Sequence, residues 1–273
     1  MINEILSLLR EHGINLSSPI SLKDCEITRE YKLSRAGFGN TEDLTAIMIA
    51  VPYYIAHSEK NISSYAASRD YHGFFEELFA SLIPTLKERY PKNNFAGFAD
   101  DSPINERHAA AAAGLGVIGD NGMLITEKYS SYVFLGEIIT DIPIEARPLP
   151  ISRCIGCGAC KRACPMDKIG VCLSALTQKK GALTEDEEQT ILQYGSAWGC
   201  DICQEVCPYT KNAIERGTIY TDVEYFKKDL IPLLSRKDID EMSDERFSKR
   251  AYSWRGRAVI LRNLDIIEKN EKS

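Results

Sequence analysis

The residues of this chain with the most recognisable chemistry are its cysteines. Eight of the nine lie between Cys154 and Cys207 in a sequence without a secretory leader pattern, which indicates metal binding rather than a disulfide framework. The first motif is CIGCGACKRACP, with cysteines at 154, 157, 160 and 164. This is the spacing of bacterial two-cluster ferredoxins, in which three thiolates hold one [4Fe–4S] cluster and the fourth crosses to the other. Zinc is the alternative, but four cysteines this close together and followed by proline favour crossed cluster ligation.

The second motif, WGCDICQEVCP, lacks one cysteine. Cys200, Cys203 and Cys207 match its second, third and fourth positions, and Ala197 stands where the first cysteine belongs. Two four-ligand clusters need eight thiolates, and Cys172 is the nearby cysteine that completes the count. We therefore expect cluster one to take Cys154, Cys157, Cys160 and Cys207, and cluster two to take Cys164, Cys172, Cys200 and Cys203. The alternative for Cys172 is a small buried residue on a helix face. We interpret Cys25 as a buried structural thiol.

The elements that must position these groups follow from hydrophobic patterning. Continuous apolar runs at 44–55 (LTAIMIAVPYYI) and 132–140 (YVFLGEIIT) predict buried strands. Apolar residues at helical spacing in DYHGFFEELFASLIPTLKERY predict a long helix that Pro84 would kink or divide. The N-terminal MINEILSLLREHG has an amphipathic helix pattern. We expect an α+β protein with an α/β domain over 1–150, a double [4Fe–4S] module over 151–215 and a short helical tail over 216–273.

Composition limits the possible partners. The chain has 33 basic and 39 acidic residues, a net charge of −6, which does not suggest a general nucleic-acid binder. A group of basic side chains near the end of the sequence is either a local patch or an ordinary solvated helix face; its members are Lys249, Arg250, Arg255, Arg257 and Arg262. Without an apolar run of about 18 residues, the sequence predicts a cytoplasmic protein with no membrane partner.

GLGVIG at 114–119 formally matches the dinucleotide-binding fingerprint, but its context argues against that function. The fingerprint follows a strand and opens a helix, whereas this segment follows SPINERHAAAAA. There Ser102 is a candidate N-cap, Pro103 suits a first helical turn and Gly114 a helix end. We therefore expect these glycines to end a helix and to allow close backbone approach by a flat cofactor or a packed neighbour.

Asp100 and Asp101 precede this helix, and Arg107 and His108 lie within it. An acid at a helix N-terminus is commonly a cap or dipole partner whose charged form is favoured. A proton donor needs a raised pKa, which burial against an apolar cofactor would supply. His72 is similarly open between a structural and a functional role.

Taken together, several stretches resemble the epoxyqueuosine reductase family. They are YAASRDYH (65–72), ADDSPINERHAAAAAGLGVIGDNGMLI (99–125), SSYVFLGEIITD (130–141), CLSALT (172–177) and the two cysteine motifs. The resemblance runs in order from about residue 45 to about residue 263.

The resemblance implies a nitroreductase-like domain that binds base-off cobalamin beside a ferredoxin-like module with two [4Fe–4S] clusters, together reducing epoxyqueuosine to queuosine in tRNA. Asp100 matches the family's catalytic aspartate, which gives a proton to the departing epoxide oxygen while the clusters deliver electrons to cobalt. Residues assigned to cobalamin on this basis are Tyr65, His72, Arg107, Gly116, Gly119, Asn121, Tyr132, Leu135 and Gly136. The expected partners are a low-potential electron donor and tRNA or a modified nucleoside, and we predict a monomer.

Two departures keep other functions open. Where the family typically has G-W-x-G-K-N, residues 116–121 read GVIGDN, and the sequence stops shortly after RGRAVILRN, before the helical repeats that help full-length members hold tRNA. One alternative is the same cofactors acting on a smaller substrate, as in the related reductive dehalogenases. The other is a non-catalytic protein that transfers electrons to a corrinoid.

Overall fold

The computed structural model describes residues 1–144, 148–166 and 171–268. Contacts group the chain into two compact units that alternate along the sequence. Unit 1 comprises residues 1–52, 72–157 and 212–219, and unit 2 comprises 53–71, 158–211 and 220–273. The division into 1–150, 151–215 and 216–273 stays a prediction, and the end of the expected tail, 269–273, lies outside the described residues.

Unit 1 is built on a four-stranded antiparallel sheet. Its strands are β1 (Ser17–Ser21), β2 (Thr45–Pro52), β3 (Phe95–Phe98) and β6 (Val133–Thr140), in the order β1-β2-β6-β3. Every residue of β2 is buried, which explains why its sequence reads as an unbroken apolar run. The strands predicted within 44–55 and 132–140 are thus confirmed as β2 and β6.

Helices cover both faces of this sheet. The helices of unit 1 are α1 (Ile2–Glu11), α2 (Glu30–Arg35), α3 (Tyr71–Arg89) and α4 (Glu106–Ala112). Side chains alternate between the faces along β6. Gly136 lies against the Phe75 ring of α3, whereas Leu135 and Ile139 join the core to which the alanines of α4 belong. The sheet therefore separates α3 from α4.

Two local predictions of helix structure need correction. Pro84 lies inside α3 without dividing it, so the alternative of a divided helix is wrong, and the alternative of a kink stays a prediction. Leu78, Leu82 and Leu86 are buried on both sides of the proline. α4 begins at Glu106 rather than at Pro103, and its N-cap is Asn105, whose side chain accepts a hydrogen bond from the His108 amide. The amphipathic N-terminal helix is confirmed as α1, with Ile5, Leu8 and Leu9 buried.

The GLGVIG segment leads from a helix into a hairpin. Gly114 follows the end of α4 with φ of 85°, which is the left-handed conformation common just after a helix. The hairpin strands are β4 (Val117–Ile118) and β5 (Leu124–Ile125). A Cβ at Gly116 would lie 2.3 Å from the carbonyl oxygen of Ile125. The close approach expected at this glycine is therefore made by the neighbouring backbone, and the dinucleotide reading fails as expected.

Unit 2 is helical in the part of it that the structure describes. The remaining helices of the chain are α5 (Ala159–Ala163), α6 (Leu173–Thr177), α7 (Glu185–Tyr194), α8 (Ile202–Glu205), α9 (Pro208–Glu215), α10 (Glu224–Lys227), α11 (Arg236–Glu241), α12 (Asp244–Ser248) and α13 (Arg257–Glu268). α13 packs against α6, α7 and α11. A mixed helix-and-sheet fold is thus confirmed. Within the described ranges no helix is both long and apolar enough to span a bilayer.

Candidate iron–sulfur and carboxylate sites

The eight clustered cysteines stand on short helices and turns. Cys154 and Cys157 belong to unit 1, and the other six belong to unit 2. The Cys154 amide donates to the Ile118 carbonyl at 3.0 Å, which ties the start of the first motif to the β4 hairpin. In unit 2, α5 of the first motif packs against α8 of the second. The two motifs thus meet through the helices that carry their internal cysteines.

The ligands expected for cluster two include three neighbouring sulfurs. Burial raises the pKa of the Cys200 thiol to about 11, and the nearby Cys172 and Cys164 contribute to the rise. Cys172 is exposed at the N-cap of α6. That placement contradicts the alternative of a small buried residue on a helix face, and it agrees with Cys172 as the replacement ligand.

Ala197 occupies the missing cysteine position but points into a different environment. It is fully buried in an apolar core with Ile62, Trp198 and Leu234. Its amide donates to the Asn61 carbonyl at 2.7 Å, and its carbonyl accepts from the Asn263 side chain at 2.9 Å. Ala197 is thus part of the packed interior beside the cysteine motif.

A buried carboxylate, which the sequence analysis missed, anchors the second motif. Asp201 is 4% exposed. It accepts hydrogen bonds from the amide and hydroxyl of Ser64, each at 2.7 Å, from Lys60 at 2.6 Å, and from the Ser63 hydroxyl. Because these four donors all come from residues 60–64, Asp201 fixes that segment to the second motif next to Cys200.

The described side chains do not form a centre for one metal ion. No three His, Cys, Asp or Glu residues within the described ranges converge in that way. A tetrahedral zinc site requires its ligands to converge on one point. The assignment of cysteines to clusters thus rests on their spacing, on the α5–α8 contact and on the grouping of Cys164, Cys172 and Cys200.

In unit 1 the fold brings His72 and Asp100 together. His72 lies in the first turn of α3, and Asp100 follows β3 with φ of 62°. The His72 Nε2 to Asp100 Oδ2 distance is 3.6 Å, and the Asp100 side chain is 67% exposed. The interaction with the neighbouring His72 is the main reason that the pKa of Asp100 lies below its usual value. In this state the Asp100 carboxylate is a base, so its role as a proton donor remains a prediction.

The residues after Asp100 are held by side chains of other elements. Asp101 pairs with Lys32 and with Arg29, the latter at 3.3 Å. Ser102, expected to cap a helix, instead donates from its hydroxyl to Glu137 Oε1 at 2.5 Å and accepts from the Ile104 amide at 3.0 Å. The expected cap failed because Ser102 serves a local turn and a buried carboxyl group.

Glu137 and Glu106 were missed by the sequence reasoning. Glu137 is fully buried in the middle of β6, and Glu106 lies at the start of α4. Burial raises the pKa of Glu106 to about 7 and raises that of Glu137 well above its usual value, with the charge of Glu106 adding to the second shift. One sequence feature could have indicated Glu137, because it is the single acid within the apolar run YVFLGEIIT, and a charged residue in such a run is expected to be buried.

The residues assigned to cobalamin lie in several places. In unit 1, Arg107 donates to the Gly122 carbonyl at 2.6 Å, and Asn121 accepts from the Met123 amide at 3.2 Å, so both shape the β4–β5 turn. A Cβ at Gly119 would lie 2.3 Å from the Asn121 side chain. Tyr132 is buried just before β6.

The other assigned residues lie on β6 or in unit 2. Leu135 and Gly136 lie within β6, and a Cβ at Gly136 would lie 2.5 Å from the Phe75 ring. Tyr65 belongs to unit 2, where its hydroxyl accepts from Gln178 at 3.4 Å. The structure thus brings His72 to Asp100 and Arg107 to the hairpin turn, and the cofactor roles remain predictions.

Three of the five basic residues near the end of the sequence hydrogen-bond to backbone carbonyl groups. For these three the prediction of an ordinary solvated helix face is wrong. Arg250 is fully buried and donates to the Ser68 carbonyl at 3.1 Å. Arg257 donates to the Met242 carbonyl at 2.6 Å, and Arg262 to the Gly181 carbonyl at 2.6 Å. These guanidinium groups satisfy carbonyl groups within unit 2 and form no basic patch. Cys25 is partly buried, and burial raises the pKa of its thiol to about 12.

Two family models match segments that include residues of both sites. Residues 153–210 match the family model described as a 4Fe-4S double cluster binding domain. The chain is thus a double-cluster iron–sulfur protein by class. Residues 41–101 match the model described as Epoxyqueuosine reductase QueG, DUF1730.

Whole-chain similarity identifies the family. An epoxyqueuosine reductase of Gloeobacter violaceus is 32% identical over 219 residues, which cover 75% of this chain and 68% of that protein. One from Listeria monocytogenes is 34% identical over 246 residues, covering 83% of this chain and 64% of that protein. The chain belongs to the epoxyqueuosine reductase family. It spans less than two thirds of the length of the Listeria relative.

The fold is also that of solved members. A crystal structure of epoxyqueuosine reductase with an epoxyqueuosine-modified tRNA-Tyr stem loop superposes with a TM-score of 0.76 at 24% identity, covering 97% of this chain and 80% of that one. The mixed fold of helices and sheet is therefore shared with the solved members of the family.

Proposed function

We propose that this protein is a cobalamin-dependent iron–sulfur reductase that converts epoxyqueuosine to queuosine in tRNA. The observation that carries the proposal is the presence, in one chain of this family, of the grouped Cys164, Cys172 and Cys200 and of the His72–Asp100 pair. The first group suits electron delivery and the second suits proton delivery, and reductive opening of an epoxide needs both.

The cysteines supply the donor set for two [4Fe–4S] clusters. Their thiolates are the ligands that such clusters use, and the two motifs with Cys172 give four for each. Cluster one would be held by Cys154, Cys157, Cys160 and Cys207, and cluster two by Cys164, Cys172, Cys200 and Cys203. Since Cys172 and Cys157 are exposed, both clusters would be accessible to an external low-potential electron donor.

Cobalamin, which we propose binds in its base-off form, would supply a low-valent cobalt that reduces the substrate carbon. Polar groups of unit 1 suit the amide arms of a corrin, and among the assigned residues these are His72, Arg107 and Asn121. His72 and Arg107 are exposed. A nitroreductase-like architecture for this unit and a monomeric state belong to the same proposal.

The protein's own contribution to the chemistry is control of a proton at Asp100. An ionised Asp100 cannot donate, so its carboxylate must first take a proton, and His72 at 3.6 Å is the neighbouring group from which it can come. Burial of Asp100 by bound cofactor and substrate would raise its pKa and favour that transfer. Asp100 would then give the proton to the epoxide oxygen as the bond to carbon breaks.

The substrate assignment is supported by the solved relative that holds an epoxyqueuosine-modified tRNA stem loop. It is tested by anaerobic reconstitution with iron, sulfide and cobalamin, followed by an assay on the same kind of modified stem loop. We expect about eight iron atoms per chain, bound corrin and formation of queuosine. Full cofactor loading without turnover would contradict the assigned substrate.

Two matched pairs of variants separate catalysis from folding. Asp100→Asn should lose turnover by at least about a hundredfold while keeping its cofactors, whereas Asp101→Asn should retain turnover. Cys172→Ala should lower the iron content from about eight to about four atoms per chain, and Cys25→Ala should leave it unchanged. Unchanged turnover in Asp100→Asn, or unchanged iron in Cys172→Ala, would remove the corresponding assignment.

A further inference from the structure

Glu137 is a fully buried acid in the middle strand of the sheet of unit 1. It pairs across the sheet with Met48 on one side and Phe98 on the other. Its Oε1 atom accepts from the Ser102 hydroxyl at 2.5 Å. No nitrogen or hydroxyl donor within the described residues reaches its Oε2 atom. A buried carboxylate oxygen without a donor is costly, so this group is stable only when a proton is present.

Glu106 is the group with which Glu137 can share that proton. It projects from the first turn of α4 and interacts with Glu137 through its side chain. Two ionised carboxylates cannot hydrogen-bond to each other, whereas a carboxyl group and a carboxylate can. The two residues can therefore satisfy Glu137 Oε2 only while they retain a proton between them.

The same Glu106 side chain holds the backbone of Asp100. The Asp100 amide donates to Glu106 Oε1 at 3.1 Å. Asp100 has φ of 62°, a left-handed conformation that is unfavourable for a residue with a side chain. Two residues further on, Ser102 links the same segment to Glu137. The carboxyl pair thus contacts the Asp100 segment at both ends.

We propose that Glu106 and Glu137 act together as positioning residues, holding Asp100 in its left-handed conformation while Glu106 is protonated and releasing it when Glu106 ionises. The ionised Glu106 would be costly to keep buried and would be repelled by the Asp100 carboxylate, so it would turn toward solvent. Asp100 would then lose the acceptor for its amide. For catalysis the inference rests on the proposed role of Asp100, but the restraint on the segment does not.

The charged and titratable surroundings agree with a retained proton. Arg107 is the cation that favours ionisation of Glu106, and burial outweighs it. The groups facing Glu137 are Glu106, Ser102 and the partly buried Cys25 thiol, none of which is a cation. The pKa of Glu106 is raised to about 7, so the restraint is complete below its ordinary value of 4.5 and weakens as pH rises through 7.

The test is hydrogen exchange at the Asp100 amide, read by mass spectrometry with residue-level fragmentation on the full-length, cluster-loaded protein. After correction for the intrinsic effect of pH on exchange, wild-type protection should fall by up to about tenfold per pH unit between pH 5 and 7. Glu106→Gln mimics the protonated acid, keeps an oxygen acceptor for the Asp100 amide and should keep protection high across that range. Glu106→Ala removes the acceptor and should lose protection at every pH.

Glu127→Gln is the matched control, because Glu127 is an exposed acid of the same unit, and it should behave as wild type. The proposal is overturned if Glu106→Gln keeps the wild-type pH dependence, or if Glu106→Ala folds and protects Asp100 normally. Exchange at Asp100 requires neither substrate nor turnover. A failed activity assay with the expected exchange would therefore contradict the proposed function and leave this inference standing.

Discussion

In unit 1 the titratable side chains of the candidate site lie beside an apolar sheet. In unit 2 the cysteines lie on short helices that are linked by buried polar groups. His72 lies at the start of α3 and Asp100 just after β3, and both elements bury apolar side chains. Cys200 is instead followed by Asp201, which is buried among donors from residues 60–64. Packing can maintain the first arrangement without a ligand, and the second depends more on specific bonds and, by our proposal, on iron.

Removal of iron should give the largest difference between the units. Because metal binding to a site that the unfolded chain lacks contributes directly to folding, iron-free protein should lose exchange protection across 171–205, on the order of ten-thousandfold or more. Strands β2 and β6 should keep their exchange protection. Hydrogen exchange of iron-loaded and iron-depleted protein measures the protection of 171–205 and of these strands in one experiment. Equal protection of 171–205 in the two forms would show that unit 2 is as self-sufficient as unit 1.

Asp201→Ala should have the next largest effect. The substitution leaves Lys60 and the Ser63 and Ser64 donors without their common acceptor, which we expect to lower the free energy of unfolding by about 3–5 kcal/mol. Denaturation followed by fluorescence of the buried Trp198 reports on this unit. Asp222→Ala, at an exposed position, is the control. A loss below about 1 kcal/mol would mean that the polar network does not hold the motif.

Gly136→Ala probes the packing of unit 1 on a smaller scale. The added methyl group would lie 2.5 Å from the Phe75 ring, and we expect overpacking to cost about 1–3 kcal/mol. Replacing Phe75 with leucine in the same protein should recover part of that loss, as a double-mutant cycle of denaturation midpoints would show. Gly39→Ala, which meets nothing within 4 Å, should be near neutral. An additive double mutant would show that the two residues do not interact.

Sequence reasoning succeeded where residue type alone decides the result. β2 and β6 were predicted because a strand buried along its whole length must be apolar throughout. Cys172 was singled out because two four-ligand clusters need eight thiolates and the gap at Ala197 left one to be supplied, and its role as a ligand stays a prediction. Neither inference requires knowledge of which distant segments meet.

It failed where partners distant in sequence decide the result. Ser102 has the residue type of an N-cap, but a buried acid 35 residues away competes for its hydroxyl. Glu106 and Glu137 form a pair only because the register of β6 against β3 and the packing of α4 bring them together. Arg250 reads as a surface cation until the carbonyl groups around it are known. These outcomes depend on tertiary contacts that a local pattern does not encode.

His72→Gln should have the smallest effect on stability. It also tests most directly whether His72 controls the protonation of Asp100. The pKa of Asp100 is depressed mainly by His72, so the stabilisation from this pair is present above the ordinary value of 3.8 and is lost as pH falls below it. For so exposed a pair we expect roughly 0.2–1 kcal/mol at pH 5 and a rise in the pKa of Asp100 toward 3.8. Carboxyl carbon NMR titration measures that pKa. His108→Gln removes a comparable exposed pair with Glu26, at 3.7 Å, and should leave the titration of Asp100 unchanged. If the His72 variant also leaves it unchanged, the proton cannot be assigned to the His72–Asp100 pair.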